Sequence, residues 1–487
     1  MSKDKGGYKM NVLDHNKPIL KYFEEISRIP HGSYNEQALS DYLVQFAIKH
    51  ELRYKQDDMG NVIMYKDGAK GYEDHEAVML QGHIDMVCEK NNDCDHDFSK
   101  DPLQLYVEDG WLKAKGTTLG ADDGYAVSYM LAILESDTIV HPPLVCVFTV
   151  QEEVGLFGAS HLKAEDLPVK RMIGMDTGGE IVTCVSSSGG RRTIVSKPLN
   201  KIKNENLTFE LVIGGLLGGH SGGNIHKELG NANKLAFRML QVLNEQASVC
   251  LVNIVGGLKE NAIPRECVVT FTCDTSIKVI DKLFKEIEKE IKTELEFSDP
   301  NFYFSLKQLP QKAEYCYDVQ SSKEAISLVY LLPNGFKAKS MVIKGLTTVS
   351  LNLGVLSIEE DVMKCYFSIR SPILSAKEEL SHEIEVLSYL LGATIENMAD
   401  YPGWNYEDKS VMREIFKEVV KEELNAEMLT EASHGGLETG IFKGLIPELD
   451  IVTMGPHCSD AHTPDEKLNL ASFEKMFEVL QALLKKL

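Results

Sequence analysis

Val78-Met79-Leu80-Gln81-Gly82-His83-Ile84-Asp85 is a short apolar run that closes on a glycine and then presents an imidazole and a carboxylate two residues apart. A buried strand ends in this way when it delivers polar groups to a site. Alternation of side chains along a strand puts His83 and Asp85 on the same side. The spacing suits an imidazole that holds a metal through one ring nitrogen while a nearby carboxylate accepts the other N–H and so fixes tautomer and orientation. Alone, such a pair is equally an ordinary strand end. Its meaning depends on what the rest of the chain supplies.

On both sides of that run, helix-like and strand-like segments alternate. Residues 20–49 carry helical periodicity broken by Ile29-Pro30-His31-Gly32-Ser33, which predicts two helices around a turn. Asn61 to Tyr65 reads as a strand, and Leu103 to Lys113 as a hairpin turning on Asp109-Gly110. Gly116 to Gly124 opens a helix running to Leu134, and Leu144 to Val150 is a continuous apolar run, the mark of a fully buried strand. That strand ends in Gln151-Glu152-Glu153-Val154-Gly155. Met172-Ile173-Gly174-Met175-Asp176 repeats the pattern, an apolar strand closing on a carboxylate. The expected fold is α/β, a central mixed sheet flanked by helices, with ligands gathered beyond the strand ends.

After Ser188 the texture changes. Two stretches of similar grammar, 207–291 and 348–391, predict an α+β insert with a weak internal duplication. The remainder returns to the first style, with a helix from Ser410 to Leu424, a glycine-rich turn at His434-Gly435-Gly436, a strand at Leu449 to Met454 and an amphipathic helix from Ala471. The organisation expected is a catalytic domain in two parts, 1–188 and 401–487, interrupted by a lid domain at 189–400.

Composition narrows the function. A length of 487 residues predicts two or three domains. The 73 acidic against 51 basic side chains give a net charge of −22, which argues against nucleic acid or an anionic membrane as partner. Met1 to Gly7 is polar and leads into no apolar segment, and nowhere do about 18 apolar residues run together. A cytoplasmic protein is expected. The ten cysteines lie singly, several of them (Cys146, Cys250, Cys267, Cys365) in apolar runs, and read as reduced core thiols.

Five segments offer ligands of metal type at strand ends or turns: His83, Asp122, Glu153, Asp176 and, far along, His462 in Asp460-Ala461-His462-Thr463-Pro464-Asp465-Glu466. Two imidazoles and three carboxylates suit a pair of zinc ions. Each residue alone has a plainer role as a turn former or a hydrogen-bonded bystander. Their recurrence at the ends of buried strands, where an unpaired charge is costly, favours the metal reading. Adjacent glutamates at a strand end can face different ways, so one of Glu152 and Glu153 can ligate a metal while the other keeps a free carboxylate beside the attacking water.

The motifs Gly82-His83-Ile84-Asp85-Met86-Val87, Leu119 to Gly124, Thr149 to Leu156, Met175 to Glu180, Gly218 to His226 and Ala461 to Glu466, in this order, resemble the cytosolic aminoacyl-histidine dipeptidases. These belong to the co-catalytic zinc peptidase group that also holds carnosinases, tripeptidases and aminoacylases. The resemblance implies two Zn2+ per subunit, with Mn2+ or Co2+ as alternatives. Asp122 would bridge the ions, His83 and Asp176 would complete one position, and Glu153 and His462 the other. Asp85 would orient His83, Glu152 would be the general base, and a cis peptide would join Asp122 to Asp123.

In relatives a histidine matching His220 helps stabilise the developing oxyanion, in some cases across a dimer, which implies a homodimer through the lid domain. Asn261, Arg370, His434 and Glu438 match positions at the substrate. Asp123 stands where asparagine is common, and Gly435 and Thr439 where alanine and cysteine are expected. The implied reaction is hydrolysis of a small, unblocked dipeptide, of Xaa-His type or broader. The rivals are an N-acyl amino acid deacylase or tripeptidase on the same framework, and a non-catalytic metal-binding protein.

Overall fold

The computed structural model describes residues 11–487, so the polar segment from Met1 to Gly7 lies outside the described residues. The chain separates into two bodies. One comprises the chain up to Ser186 with Trp404–Ala432 and Leu437–Leu487, the other Ser187–Gly403 with Ser433–Gly436. The segment 433–436, grouped by sequence with the rest of 401–487, thus belongs to the second body.

The first body is built on a six-stranded mixed sheet in the order Arg53–Gln56, Val62–Lys66, Leu144–Thr149, Val78–His83, Arg171–Gly174, Asp450–Thr453. The last four are mutually parallel. Val78–His83 and Leu144–Thr149 are buried at every residue, as their unbroken apolar runs require. The carboxyl ends of the parallel strands share one edge, which brings His83, Glu152, Glu153 and Asp176 to the same side of the sheet.

Helix Ala121–Glu135 packs on Val78–His83 and is buried throughout Asp123 to Leu134. It has no charged residue between Asp123 and Glu135 and therefore no polar face. Gly82 permits the close approach: a Cβ there would fall 2.5 Å from Asp123 Oδ2 and 2.6 Å from Ala126 Cβ. Helix Leu470–Lys486 closes the chain with Phe473, Met476, Val479, Leu480, Leu483 and Leu484 buried on one face, and Phe473 stacks on Tyr129 at 5.1 Å between ring centroids. Truncating such a ring to alanine costs about 3–5 kcal/mol.

The second body is a nine-stranded sheet whose main path is Tyr303–Gln308, Leu207–Gly214, Cys267–Cys273, Val249–Gly256, Thr347–Glu359, Val362–Ser371, Gly189–Pro198, Thr394–Tyr401. The path is a duplication. Each half runs strand, helix, strand, strand, helix, strand and lies in the sheet in the order fourth, first, third, second. The halves join where Val255 and Gly256 pair with Ser357 and Leu356. The first half, 207–308, is nested between the first strand of the second half, Gly189–Pro198, and its remainder.

Sequence reasoning missed Gly189–Pro198 because its inward residues include Arg191, Thr193 and Lys197, all buried. Those charges are carried by ion pairs, Arg191 with Glu378 and Asp400, and Lys197 with Glu324. All ten cysteines are free thiols. Among the described residues no helix is long and apolar enough to cross a membrane.

Candidate metal centre and active site

His83 ends its strand with the side chain 1% exposed. Its Nδ1 lies 3.0 Å from the backbone carbonyl of Asp85 and must donate there, which leaves Nε2 as the free nitrogen. That Nε2 lies 3.1 Å from Asp122 Oδ1 and 3.9 Å from Asp176 Oδ1. On the other side His462 Nε2 lies 3.2 Å from Asp122 Oδ2 and 2.9 Å from Glu153 Oε1. Asp122 thus gives one carboxylate oxygen to each imidazole. The five residues picked out by sequence come together as two sets of three sharing Asp122, and the peptide Asp122–Asp123 is cis.

The donor chemistry fits a divalent metal ion. Ligand atoms of His83, Asp122 and Glu153 all lie within 4.8 Å of one another. The electrostatics point the same way. Burial and the neighbouring Asp122 push the Asp176 carboxyl well above its ordinary range. Burial, with Glu153 and Asp122 adding to it, raises Glu152 to about 7. Asp122 is held below the usual carboxylate range because His462 and His83 outweigh its burial. His462 is raised to about 10 by its bonds to Asp122 and Glu153. This is a surplus of negative charge that cations at the imidazole nitrogens would balance.

Asp85 does more than the sequence suggests. Its Oδ1 is 3.5 Å from His83 Nδ1, but its closer partners are elsewhere. It accepts from the Glu152 N–H at 2.9 Å, the Glu153 N–H at 3.3 Å and the Ser33 hydroxyl at 2.7 Å. One carboxylate therefore holds both the ligand strand end and the Glu152-Glu153 turn. Ser33 was not singled out by sequence, since it lies in a turn 52 residues from its partner.

Asp123, where asparagine was expected, accepts the His83 N–H at 3.2 Å through Oδ2, while Oδ1 is buried without a partner. Burial pushes this carboxyl well above its ordinary range. Glu438, expected near the substrate, is buried, 2% exposed. Its Oε2 accepts from Gln81 at 2.5 Å and Thr149 at 2.7 Å, and burial raises it to about 8.

The remaining expected residues lie in the second body. His220 is exposed in a two-residue strand paired with Ala262–Ile263. Its Nδ1 accepts the N–H groups of Gly222 and Gly223, each at 3.2 Å, which puts the proton of the neutral ring on Nε2. Burial and Arg370 lower its pKa and keep it neutral. Arg370 Nε lies 3.4 Å from Ser221 Oγ, and Asn261 holds the Ser221 N–H through its backbone carbonyl at 2.8 Å. His434 is buried between Ser188 Oγ at 2.9 Å and Ser350 Oγ at 2.7 Å, and burial with Arg370 nearby lowers it to about 3.

A family model described as Peptidase family M20/M25/M40 matches residues 79–486. The chain is 35% identical over 474 residues to the cytosol non-specific dipeptidase of Escherichia coli (strain K12), covering 97% of this chain and 98% of that one. The crystal structure of an aminoacylhistidine dipeptidase from Vibrio alginolyticus superposes with a TM-score of 0.89 at 33% identity, covering 96% of each chain. The aminopeptidase PepT of Bacillus cereus ATCC 10987 shares the fold, with a TM-score of 0.55 at 14% identity over 98% of this chain and 99% of its own.

Proposed function

This chain belongs to peptidase family M20/M25/M40, and on that premise we propose that it is a metal-dependent dipeptidase acting on unblocked dipeptides. The observation that carries the proposal is the sharing of Asp122 between His83 and His462, with Glu152 beside them. In this reading His83, Asp122 and Asp176 hold one cation, and Asp122, Glu153 and His462 the other. Bound there, divalent cations supply Lewis-acid polarisation of the scissile carbonyl and make water more acidic.

The protein's own groups do the rest. A carboxylate oxygen of Glu152 takes the proton from the attacking water and returns it to the leaving amine. An acid group near neutrality serves both steps, and burial puts Glu152 there. Asp85 fixes the Glu152-Glu153 turn and the His83 ring at once. His220 offers its Nε2–H to the developing oxyanion, a role that its two backbone bonds at Nδ1 prepare. Arg370, with its fixed positive charge, suits the dipeptide carboxylate, and Asn261 and His434 line the same part of the second body.

The names borne by the two relatives above 30% identity support dipeptides as the substrate class. The finer parts of the reading are zinc as the metal, the cytoplasm as the location and a homodimer formed through the second body. A panel of dipeptides and N-acyl amino acids, assayed with and without chelator, tests it. Dipeptide cleavage that disappears with chelator is expected. Cleavage of N-acyl amino acids alone selects the deacylase, and tripeptide cleavage alone the tripeptidase.

A further inference from the structure

Glu466 lies four residues beyond His462 and is buried, 3% exposed. Its Oε2 accepts the N–H groups of Leu119 at 2.7 Å and Gly120 at 3.0 Å, and its Oε1 those of Ala121 at 2.8 Å and Asp122 at 3.3 Å. These donors open helix Ala121–Glu135. That helix starts from Gly120, at φ 68°, and has no side-chain cap of its own. A carboxylate at a helix amino terminus is favoured both by the free N–H groups and by the helix dipole. Here it comes from a residue more than 340 positions away.

The tie joins two metal-type ligands of unlike security. His83 and Asp176 follow strands bonded into the central sheet. His462 sits on a loop, its side chain 51% exposed. Its backbone is in the left-handed region at φ 63°, as is that of Asp460 at φ 60°, a conformation uncommon outside glycine that Asp and His adopt more readily than most residues. The base of the loop is a short antiparallel pair, Cys458–Ser459 with Lys467–Asn469. Glu466 connects this loop sideways to the backbone that carries Asp122, directly opposite the His462 ring.

We propose that Glu466 is a positioning residue that sets the register of His462 against Asp122, and that it thereby governs the affinity of the His462 cation position more than that of the His83 position. The inference rests on the two-cation reading given above. Outer groups that orient metal ligands change affinity by about 10–100-fold when removed. Glu466→Ala removes all four acceptor bonds. Glu466→Gln keeps one oxygen able to accept about half of them and sets an NH2 against the remaining donors, so its effect falls between.

The experiment is calorimetric titration of zinc into metal-depleted wild type, Glu466→Ala, Glu466→Gln and His462→Ala, with the thermal midpoint of each metal-free protein measured alongside. Wild type shows two binding events. Glu466→Ala weakens one of them about 10–100-fold, the same event that is missing in His462→Ala, and leaves the other in place. Saturating zinc restores kcat in Glu466→Gln without changing KM for a dipeptide. Equal weakening of both events, or a lowered midpoint with both affinities unchanged, overturns the proposal and makes Glu466 a brace of the fold. Absence of zinc binding in wild type overturns the two-cation reading itself. If Glu466→Ala does not fold, the comparison of Glu466→Gln with His462→Ala decides the same question.

Discussion

In the first body the polar groups gathered at the strand ends are mostly carboxylates: Asp85, Asp122, Asp176, Glu152 and Glu153 around two imidazoles, with Asp123 and Glu438 buried behind them. In the second body the gathered groups are neutral or cationic: His220, His434 and Arg370, with burial and Arg370 keeping both rings uncharged. The first set has the chemistry that the proposed reading uses to hold cations and to accept a proton. The second is built to donate hydrogen bonds and to meet an anion. Peptide hydrolysis needs both, because the attacking water must lose a proton while the carbonyl oxygen gains charge.

The contrast is broken most completely by removing the cations. Exhaustive chelation, or Asp122→Ala, which takes an oxygen from both imidazoles at once, is expected to reduce hydrolysis to background, and zinc or another divalent ion to restore it after chelation but not in the variant. Elemental analysis of an active preparation checks this, and activity without bound metal refutes it. Next in size is the separation of the two adjacent glutamates. Glu152→Gln keeps both metals and loses about 10²–10⁴-fold in kcat, whereas Glu153→Ala loses metal together with activity. Metal content and kcat measured on both variants decide it, and the reverse pattern exchanges their roles. In the second body, His220→Ala removes the proposed oxyanion donor and is expected to lower kcat by about 10²–10³-fold with metal content unchanged. Full activity in that variant assigns the donor elsewhere.

The two bodies also differed in how far the sequence revealed them. His83, Glu153 and Asp176 were legible as candidate ligands because each follows or closes an apolar run, and a charged residue at that place needs a reason, whereas Asp122 stands where a helix opens. His462 was legible only as a histidine in a turn, since its loop has no periodicity to read; the resemblance alone implied its place beside Glu153. The nested duplication of the second body was half visible. Gly189–Pro198 opens the second half yet precedes the first in the chain, and its buried Arg191 and Lys197 hide the alternation that marks a strand. The partners of Asp85 and Glu466 were invisible for a simpler reason: backbone N–H groups carry no sequence signature, and a carboxylate that collects them reads like any other. Glu438 was expected near the substrate because His434 to Glu438 resembles a dipeptidase segment there. His434 and Glu438, four residues apart, belong to different bodies.

Those two residues give the subtlest test of the contrast, since burial shifts them in opposite directions. Glu438 is raised to about 8 from an ordinary 4.5, so the folded chain holds its proton after the unfolded chain has released it. Its contribution to stability is full below about 4.5 and is lost as pH rises toward 8. His434 is lowered to about 3 from an ordinary 6.5, so the unfolded chain takes up a proton first. Its contribution is full above about 6.5 and is lost as pH falls toward 3. Between pH 5 and 8 the expected changes are on the order of 3 kcal/mol for Glu438 and 2 kcal/mol for His434. Denaturant unfolding of metal-free wild type, Glu438→Gln and His434→Asn at both pH values measures them. Relative to wild type, Glu438→Gln gains stability on going from pH 5 to pH 8, and His434→Asn gains it on going from pH 8 to pH 5. If both variants shift in the same direction with pH, the buried carboxyl and the buried imidazole are not the neutral groups that their surroundings require.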